Sequence, residues 1–205
     1  AHRVALRRAL LLCLPLTLAA AAAHATKVGD PAPAFTLTDT KAKPHALGDF
    51  KGKVVVLEWF NHDCPFVKKH YDSGNMPALQ SRYTAKDVVW LSINSSAPGK
   101  QGNYAPEQAN ELSKEKKSAA TYVLLDPDGK VGREYGAKTT PHMFVIDDKG
   151  VLIYAGAIDD NPSSGAADAA TAKNFVRTAY DEASAGKPVS TASTAPYGCG
   201  VKYKN

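Results

Sequence analysis

The feature that most constrains this chain is the run Val54-Val55-Val56-Leu57-Glu58-Trp59-Phe60, which leads through Asn61-His62-Asp63 into Cys64-Pro65. A nearly continuous apolar run of this length reads as a central strand, covered on both faces of its sheet. Pro65 sits where a first helical residue would, because its missing N–H costs nothing there and its φ is already set. Cys64 is therefore expected at a helix amino-terminus, where unpartnered N–H groups and aligned peptide dipoles favour a negative atom. The thiolate is the nucleophilic form, and such a position lowers a cysteine pKa from about 8.5 towards neutrality. The sulfur of Cys64 is thus the candidate working atom.

The rest of the chain alternates strand and helix signals. Ala34-Phe35-Thr36-Leu37-Thr38 alternates as a short strand and gives way to a turn-rich loop through Leu47 to Gly52. Beyond the helix that Pro65 opens, Val88 to Ile93 is a second apolar strand, followed by a polar insertion from Ser95 to Ala105 and a helix near Pro106. Tyr122-Val123-Leu124-Leu125 is a third strand, closed by the turn Asp126-Pro127-Asp128-Gly129, and Val131 to Tyr135 fits a short helix. Met143–Ile146 and Val151–Tyr154 flank Asp147-Asp148-Lys149-Gly150 as a hairpin whose glycine takes a positive φ. Ala172, Phe175, Val176, Ala179 and Tyr180 recur at helical spacing, so a closing helix is expected from Thr171 to Ala185.

The two ends read differently. Arg3, Arg7 and Arg8 precede the apolar run Ala9 to Ala23, which ends Ala23-His24-Ala25, the order of a secretory signal peptide cleaved after Ala25. A membrane anchor is disfavoured because the run falls short of the roughly 20 apolar residues a span needs. The organisation expected is a signal peptide over residues 1–25, one domain over 26–186, and a flexible tail over 187–205 rich in Ser, Thr, Ala and Pro. Loss of the leader removes three basic and no acidic residues, lowering the net charge from +5 to +2. No Lys/Arg stripe interleaved with aromatics marks a nucleic-acid partner, and no stable membrane insertion is expected after cleavage. Cys13 goes with the leader, leaving Cys64 and Cys199, which export places where disulfides persist.

A strand, Cys-Pro opening a helix, Thr139-Thr140-Pro141 before a hairpin, and a final helix together resemble the thioredoxin superfamily from Lys27 to Ala185. Within it, the run from Phe60 to Tyr71 and the tail Gly198-Cys199-Gly200-Val201-Lys202-Tyr203 are similar to the peroxiredoxin-like redoxin branch, that of alkyl hydroperoxide reductase and thiol-specific antioxidant proteins. The resemblance implies an α/β thioredoxin-like fold with a central mixed sheet flanked by helices. It implies that Cys64 is the attacking cysteine, that Pro141 is the cis-proline beside the sulfur, and that Thr140 offers backbone groups to a bound peptide. Glu58 falls where thioredoxins keep a buried acid that assists proton transfer, the alternative being an edge-facing side chain with no role. The chain also departs from the pattern. Val67 occupies the place of a second Cys-X-X-Cys cysteine, and Leu57 and Asn61 stand where a typical peroxiredoxin has Pro and Thr or Ser. Asn61 retains the ability to donate a hydrogen bond near the sulfur, and no arginine is assigned to the site.

These readings describe an exported enzyme, periplasmic or secreted, in which Cys64 attacks a peroxide or a protein disulfide and Cys199 resolves the product. A thioredoxin-like protein is the expected reductant, and no cofactor or metal is required. The alternative for the thiol pair is a permanent staple, which closes a loop long enough to contribute on the order of 4–5 kcal/mol. Two further readings stay open: a copper-handling protein using Cys64, His62, His70 and His142, and a redox sensor without turnover. His62, Lys68, Lys69 and His70 add positive potential near the sulfur, although the two lysines also fit a solvated helix face.

Overall fold

The computed structural model describes residues 26–205; the expected signal peptide and Cys13 lie outside the described residues. Along the chain come β1 (Thr36–Asp39), β2 (Pro44–Ala46), a 3-10 turn (Leu47–Phe50), β3 (Val55–Trp59), α1 (Pro65–Asp72) and α2 (Asn75–Thr84). Then follow β4 (Val89–Asn94), α3 (Pro106–Glu115), β5 (Tyr122–Leu125), α4 (Lys130–Glu134), β6 (Thr139–Thr140), β7 (His142–Ile146) and β8 (Leu152–Gly156). A 3-10 turn (Ala166–Ala170), α5 (Phe175–Ser184) and β9 (Cys199–Gly200) complete it.

Seven strands form one mixed sheet in the order β2-β1-β5-β4-β3-β7-β8. β3 pairs parallel with β4 and antiparallel with β7, so the apolar run is central, as its composition requires. Alternate residues of β3, with Phe60 just beyond it, feed two cores. Val55, Leu57 and Trp59 pack with Phe35, Leu91, Ile93, Tyr135 and Phe144, whereas Val56 and Phe60 pack with Cys64, Val67, Tyr71, Met76, Trp90 and Met143. This is the thioredoxin-like α/β architecture that the sequence resembles.

Two helix boundaries are set locally, the first left open by the sequence and the second differing from its reading. The helix opened by Pro65 stops at Asp72, because Gly74 turns the chain at φ 76 and α2 starts beyond it. The closing helix begins at Phe175 rather than Thr171, since the Asn174 side chain accepts the Arg177 N–H at 2.8 Å and caps it there.

The larger difference is the tail. Expected as a flexible arm, residues 192–204 are fastened along the body. Ala155 N–H donates to Ala192 O at 3.1 Å, Val201 N–H to Lys138 O at 3.1 Å, and Ala97 N–H to Lys202 O at 2.8 Å. The Tyr203 hydroxyl donates to Ala137 O at 2.8 Å, and its ring rests where any side chain on Gly129 or Gly132 would stand. Composition correctly says that this segment has no core of its own; it uses the body's instead. No helix among the described residues is long and apolar enough to cross a membrane.

Candidate active site

Cys64 is the N-cap of α1, with φ −73 and ψ 125, and Pro65 follows at the first helical position. Its backbone closes the loop, accepting from Lys68 N–H at 2.9 Å and donating to Asn61 O at 3.0 Å. The Cys64 thiol donates to the Thr140 carbonyl at 3.0 Å, while the Val67 N–H, in the first turn, faces the sulfur. The Thr140–Pro141 peptide is cis. The resemblance placed Pro141 and Thr140 beside the sulfur, and the structure has them there.

The tail brings a second sulfur to the same point. β9 pairs antiparallel with β6, with Cys199 opposite Thr140 and Gly200 opposite Thr139. Both cysteines are free, and the thiol and the backbone N–H of Cys199 face the Cys64 sulfur. Burial pushes the Cys64 thiol up, but hydrogen bonds from the Cys199 thiol, the Thr140 side chain and the Val67 and Cys199 backbones outweigh it and hold Cys64 below its ordinary value. Burial, the hydrogen bond to Cys64 and the charge on Cys64 push Cys199 up to about 11. Of the two sulfurs, Cys64 is thus the one that gives up its proton more readily. Cys64 is 0% exposed, covered by the tail, whereas Cys199 remains partly exposed.

Tyr197, two residues before Cys199, anchors this arrangement. Its hydroxyl donates to Asp159 and lies 3.2 Å from His70 Nε2. Its ring packs edge-on against Phe66 of α1 at 5.9 Å and lies 5.5 Å from the Lys69 ammonium. Lys69 is not part of a solvated face: it is buried, donates to Asn161 O at 2.7 Å and sits 3.9 Å from Asp159 Oδ2. Lys68 is the exposed one of the pair. Sequence reasoning missed Tyr197 and Asp159; the only trace was an aromatic residue on each side of Cys199.

Three other expectations are resolved. Glu58 is fully buried, which excludes the edge-facing alternative. It accepts from Trp90 Nε1 and Ser92 Oγ at 2.8 Å, Tyr71 OH at 2.9 Å and Gln80 Nε2 at 3.0 Å, and none of these groups bonds Cys64. Burial raises the Glu58 pKa although all four donors oppose it. Asn61, expected to donate near the sulfur, is committed elsewhere: Oδ1 accepts Asp63 N–H at 2.9 Å and Nδ2 donates to Gln101 O at 3.3 Å.

The proposed copper ligands are also engaged separately. His70 Nδ1 lies 2.9 Å from Asn75 Nδ2, His142 Nδ1 accepts from Lys138 N–H at 3.2 Å, and the His62 ring stands edge-on to Tyr71 at 5.3 Å. Among the described residues no three His, Cys, Asp or Glu side chains are arranged to hold a metal ion.

Comparison with known proteins fits this geometry. A family model described as Redoxin matches residues 27–173. Over 126 residues the chain is 28% identical to thiol-disulfide oxidoreductase ResA of Geobacillus kaustophilus, covering 62% of this chain and 67% of that protein. It is 27% identical over 150 residues to thioredoxin peroxidase of Echinococcus granulosus, covering 62% of this chain and 69% of the relative. The crystal structure of an uncharacterized conserved protein from Geobacillus kaustophilus superposes with a TM-score of 0.74 at 26% identity, over 87% of this chain and 93% of that one.

Proposed function

The chain belongs to the redoxin family, and from that premise we propose that it is a thiol-dependent oxidoreductase in which Cys64 attacks and Cys199 resolves. The observation that carries this reading is the Cys199 thiol held against the sulfur of a helix-capping Cys64. Ionised Cys64 attacks one sulfur of a disulfide, forming a mixed disulfide and expelling the other sulfur as thiolate. Cys199 then loses its proton and attacks the Cys64 sulfur, giving Cys64–Cys199 and the second thiolate. Part of what pushes Cys199 up is the charge on Cys64, and that charge is gone once Cys64 is bonded. A peroxide enters the same cycle: Cys64 becomes a sulfenic acid, the alcohol leaves, and Cys199 displaces water.

Of the two electrophiles the site favours the disulfide. Asn61 is turned away from the sulfur, and among the described residues no arginine hydrogen-bonds Cys64, so peroxide polarisation lacks donors that a disulfide does not need. Thr140 lends its backbone to an extended strand, the tail's own, as it would to a substrate peptide. That strand must lift to admit an electrophile, since Cys64 is 0% exposed beneath it. Export rests on the Arg3-Arg7-Arg8 and Ala9–Ala23 pattern, and places the cycle in an oxidising compartment served by a thioredoxin-like reductant.

Steady-state turnover of an oxidised model protein and of hydrogen peroxide by the wild type, Cys64→Ser and Cys199→Ser tests the reading. Loss in both variants, with the wild type faster on the disulfide, is expected. Full turnover by Cys64→Ser sinks it, and a wild type that forms the disulfide but never turns over makes the pair a staple.

A further inference from the structure

Cys64 is 0% exposed beneath the tail, so the tail leaves the body whenever Cys64 meets a substrate. What it vacates is a shaped seat. In the closed protein Tyr197 stands against three residues of α1 at helical spacing, Phe66, Lys69 and His70, and against Asp159 beyond β8. The same helix carries Cys64 at its amino-terminus. A segment laid along the tail's path therefore meets the attacking sulfur and this seat together.

The seat suits a phenol. Phe66 meets the Tyr197 ring edge-on at 5.9 Å and the Lys69 ammonium lies 5.5 Å from the ring centre, which favours an aromatic over an aliphatic side chain. Asp159 is 2% exposed, and among the described residues its carboxylate receives hydrogen bonds only from the Tyr197 hydroxyl and from Asn161 N–H at 3.1 Å. Its Oδ2 has no donor among the described residues. A ring without a hydroxyl would leave this buried carboxylate poorer still, which is how a polar site rejects an isostere. The following positions of the path are as definite. Any side chain at position 198 would overlap the Thr140 carbonyl, and Cys199 holds its sulfur against that of Cys64. Gly200, by contrast, has open space where a side chain would stand.

We propose that the hollow of Phe66, Lys69, His70 and Asp159 is a substrate-selecting subsite, which takes a tyrosine two residues before the reacting cysteine of a protein disulfide. This rests on the proposed attack of Cys64 on disulfides and names the substrates it prefers. The tail segment Tyr197-Gly198-Cys199 is a built-in copy of the preferred sequence, leaving to admit the substrate and returning to expel it. In the forward step the Cys64 thiolate bonds to the substrate sulfur seated where Cys199 sits, and the sulfur bonded to it departs with the electron pair as thiolate. On its return Cys199 gives up its proton and bonds to Cys64, the substrate cysteine leaves as thiolate, and Tyr197 retakes the seat.

Pentapeptides of the form X-Gly-Cys-Gly-Val, with the cysteine bonded to thionitrobenzoate, test the subsite. Attack by Cys64 on the cysteine sulfur releases the coloured thiolate, which is the better leaving group. Release is followed with the wild type and corrected by the rate with Cys64→Ser. Tyrosine at X should react about ten times faster than alanine and about three times faster than phenylalanine. In Phe66→Ala the tyrosine-to-alanine ratio should fall about threefold, whereas a change that only loosened the tail would raise both rates alike. Alanine in place of the peptide's first glycine should slow the tyrosine peptide about tenfold. If no peptide reacts faster with the wild type than with Cys64→Ser, the proposed function fails and the subsite falls with it. Cys64-dependent release at equal rates for tyrosine and alanine, or a ratio unmoved by Phe66→Ala, overturns the subsite alone.

Discussion

The α-carbon of Gly198 lies so close to the Thr140 carbonyl that any side chain at position 198 would overlap the oxygen, and its φ of 130 belongs to the region that favours glycine. That contact lets the tail descend onto Thr140 and bring Cys199 to Cys64. Gly198→Val should therefore lift the tail without disturbing the core. The expected result is alkylation of Cys64 by iodoacetamide at least ten times faster than in the wild type, with slower formation of the Cys64–Cys199 disulfide. Unchanged protection of Cys64 would show that something other than the tail covers it.

The donor relation between the two thiols gives a second prediction. Cys199→Ala removes one of the groups that hold Cys64 down, so the apparent pKa of Cys64 should rise even as the sulfur becomes more accessible. Alkylation of the Cys64 peptide followed from pH 5 to 10 reads both effects, the first as a shifted midpoint and the second as a higher plateau. A midpoint that stays or falls contradicts the assignment of Cys199 as donor.

How much of this was legible depends on where the determining contacts lie. Cys64 at a helix start follows from residues 54–65 alone, because a doubly covered strand and a Pro at the first helical position are local signals. Tyr122–Leu125 and the hairpin around Gly150 were legible in the same way. Lys69 was not: a lysine on a short helix reads as solvated, and only Asp159, Asn161 and the Tyr197 ring, all far along the chain, make it a buried cation. The tail was not legible either. Its composition rules out a core of its own, and the seats made for it by Gly129, Gly132 and Thr140 exist only once the body has folded.

The buried group beneath Tyr197 carries a third prediction. Asp159→Ala would leave the Lys69 ammonium, with 0% of its side chain exposed, facing only a carbonyl and an aromatic ring. Removing one partner of a buried pair costs about 3–5 kcal/mol. Tyr197→Phe loses one charged hydrogen bond and should cost about 1.5–3 kcal/mol. Urea denaturation measures both, and an Asp159→Ala loss of only about 1 kcal/mol, the size of an exposed pair, would mean that Lys69 finds another partner.

Acid sensitivity is the fourth. Burial, with Lys116 nearby, lowers the His62 pKa to about 4 from an ordinary 6.5. The unfolded chain therefore takes up that proton first, so the stability contributed by neutral His62 is complete above pH 6.5 and drains away as the pH falls towards 4. The full loss is on the order of 3 kcal/mol. His142 and His70 slope the same way, while Glu58, raised by burial, slopes oppositely. His62→Phe isolates one of these groups: its denaturation midpoint should fall less between pH 7 and pH 5 than that of the wild type. Parallel profiles would count against a neutral buried His62.

The central claim is that Cys64 and Cys199 are two ends of one redox pair, and non-reducing peptide mapping tests it most directly. Protein treated with one equivalent of peroxide or of a small disulfide, then digested without reductant, should yield a single linked pair of peptides, one containing Cys64 and the other Cys199. Recovery of the two peptides unlinked, both thiols free or each capped by the oxidant, would contradict the account.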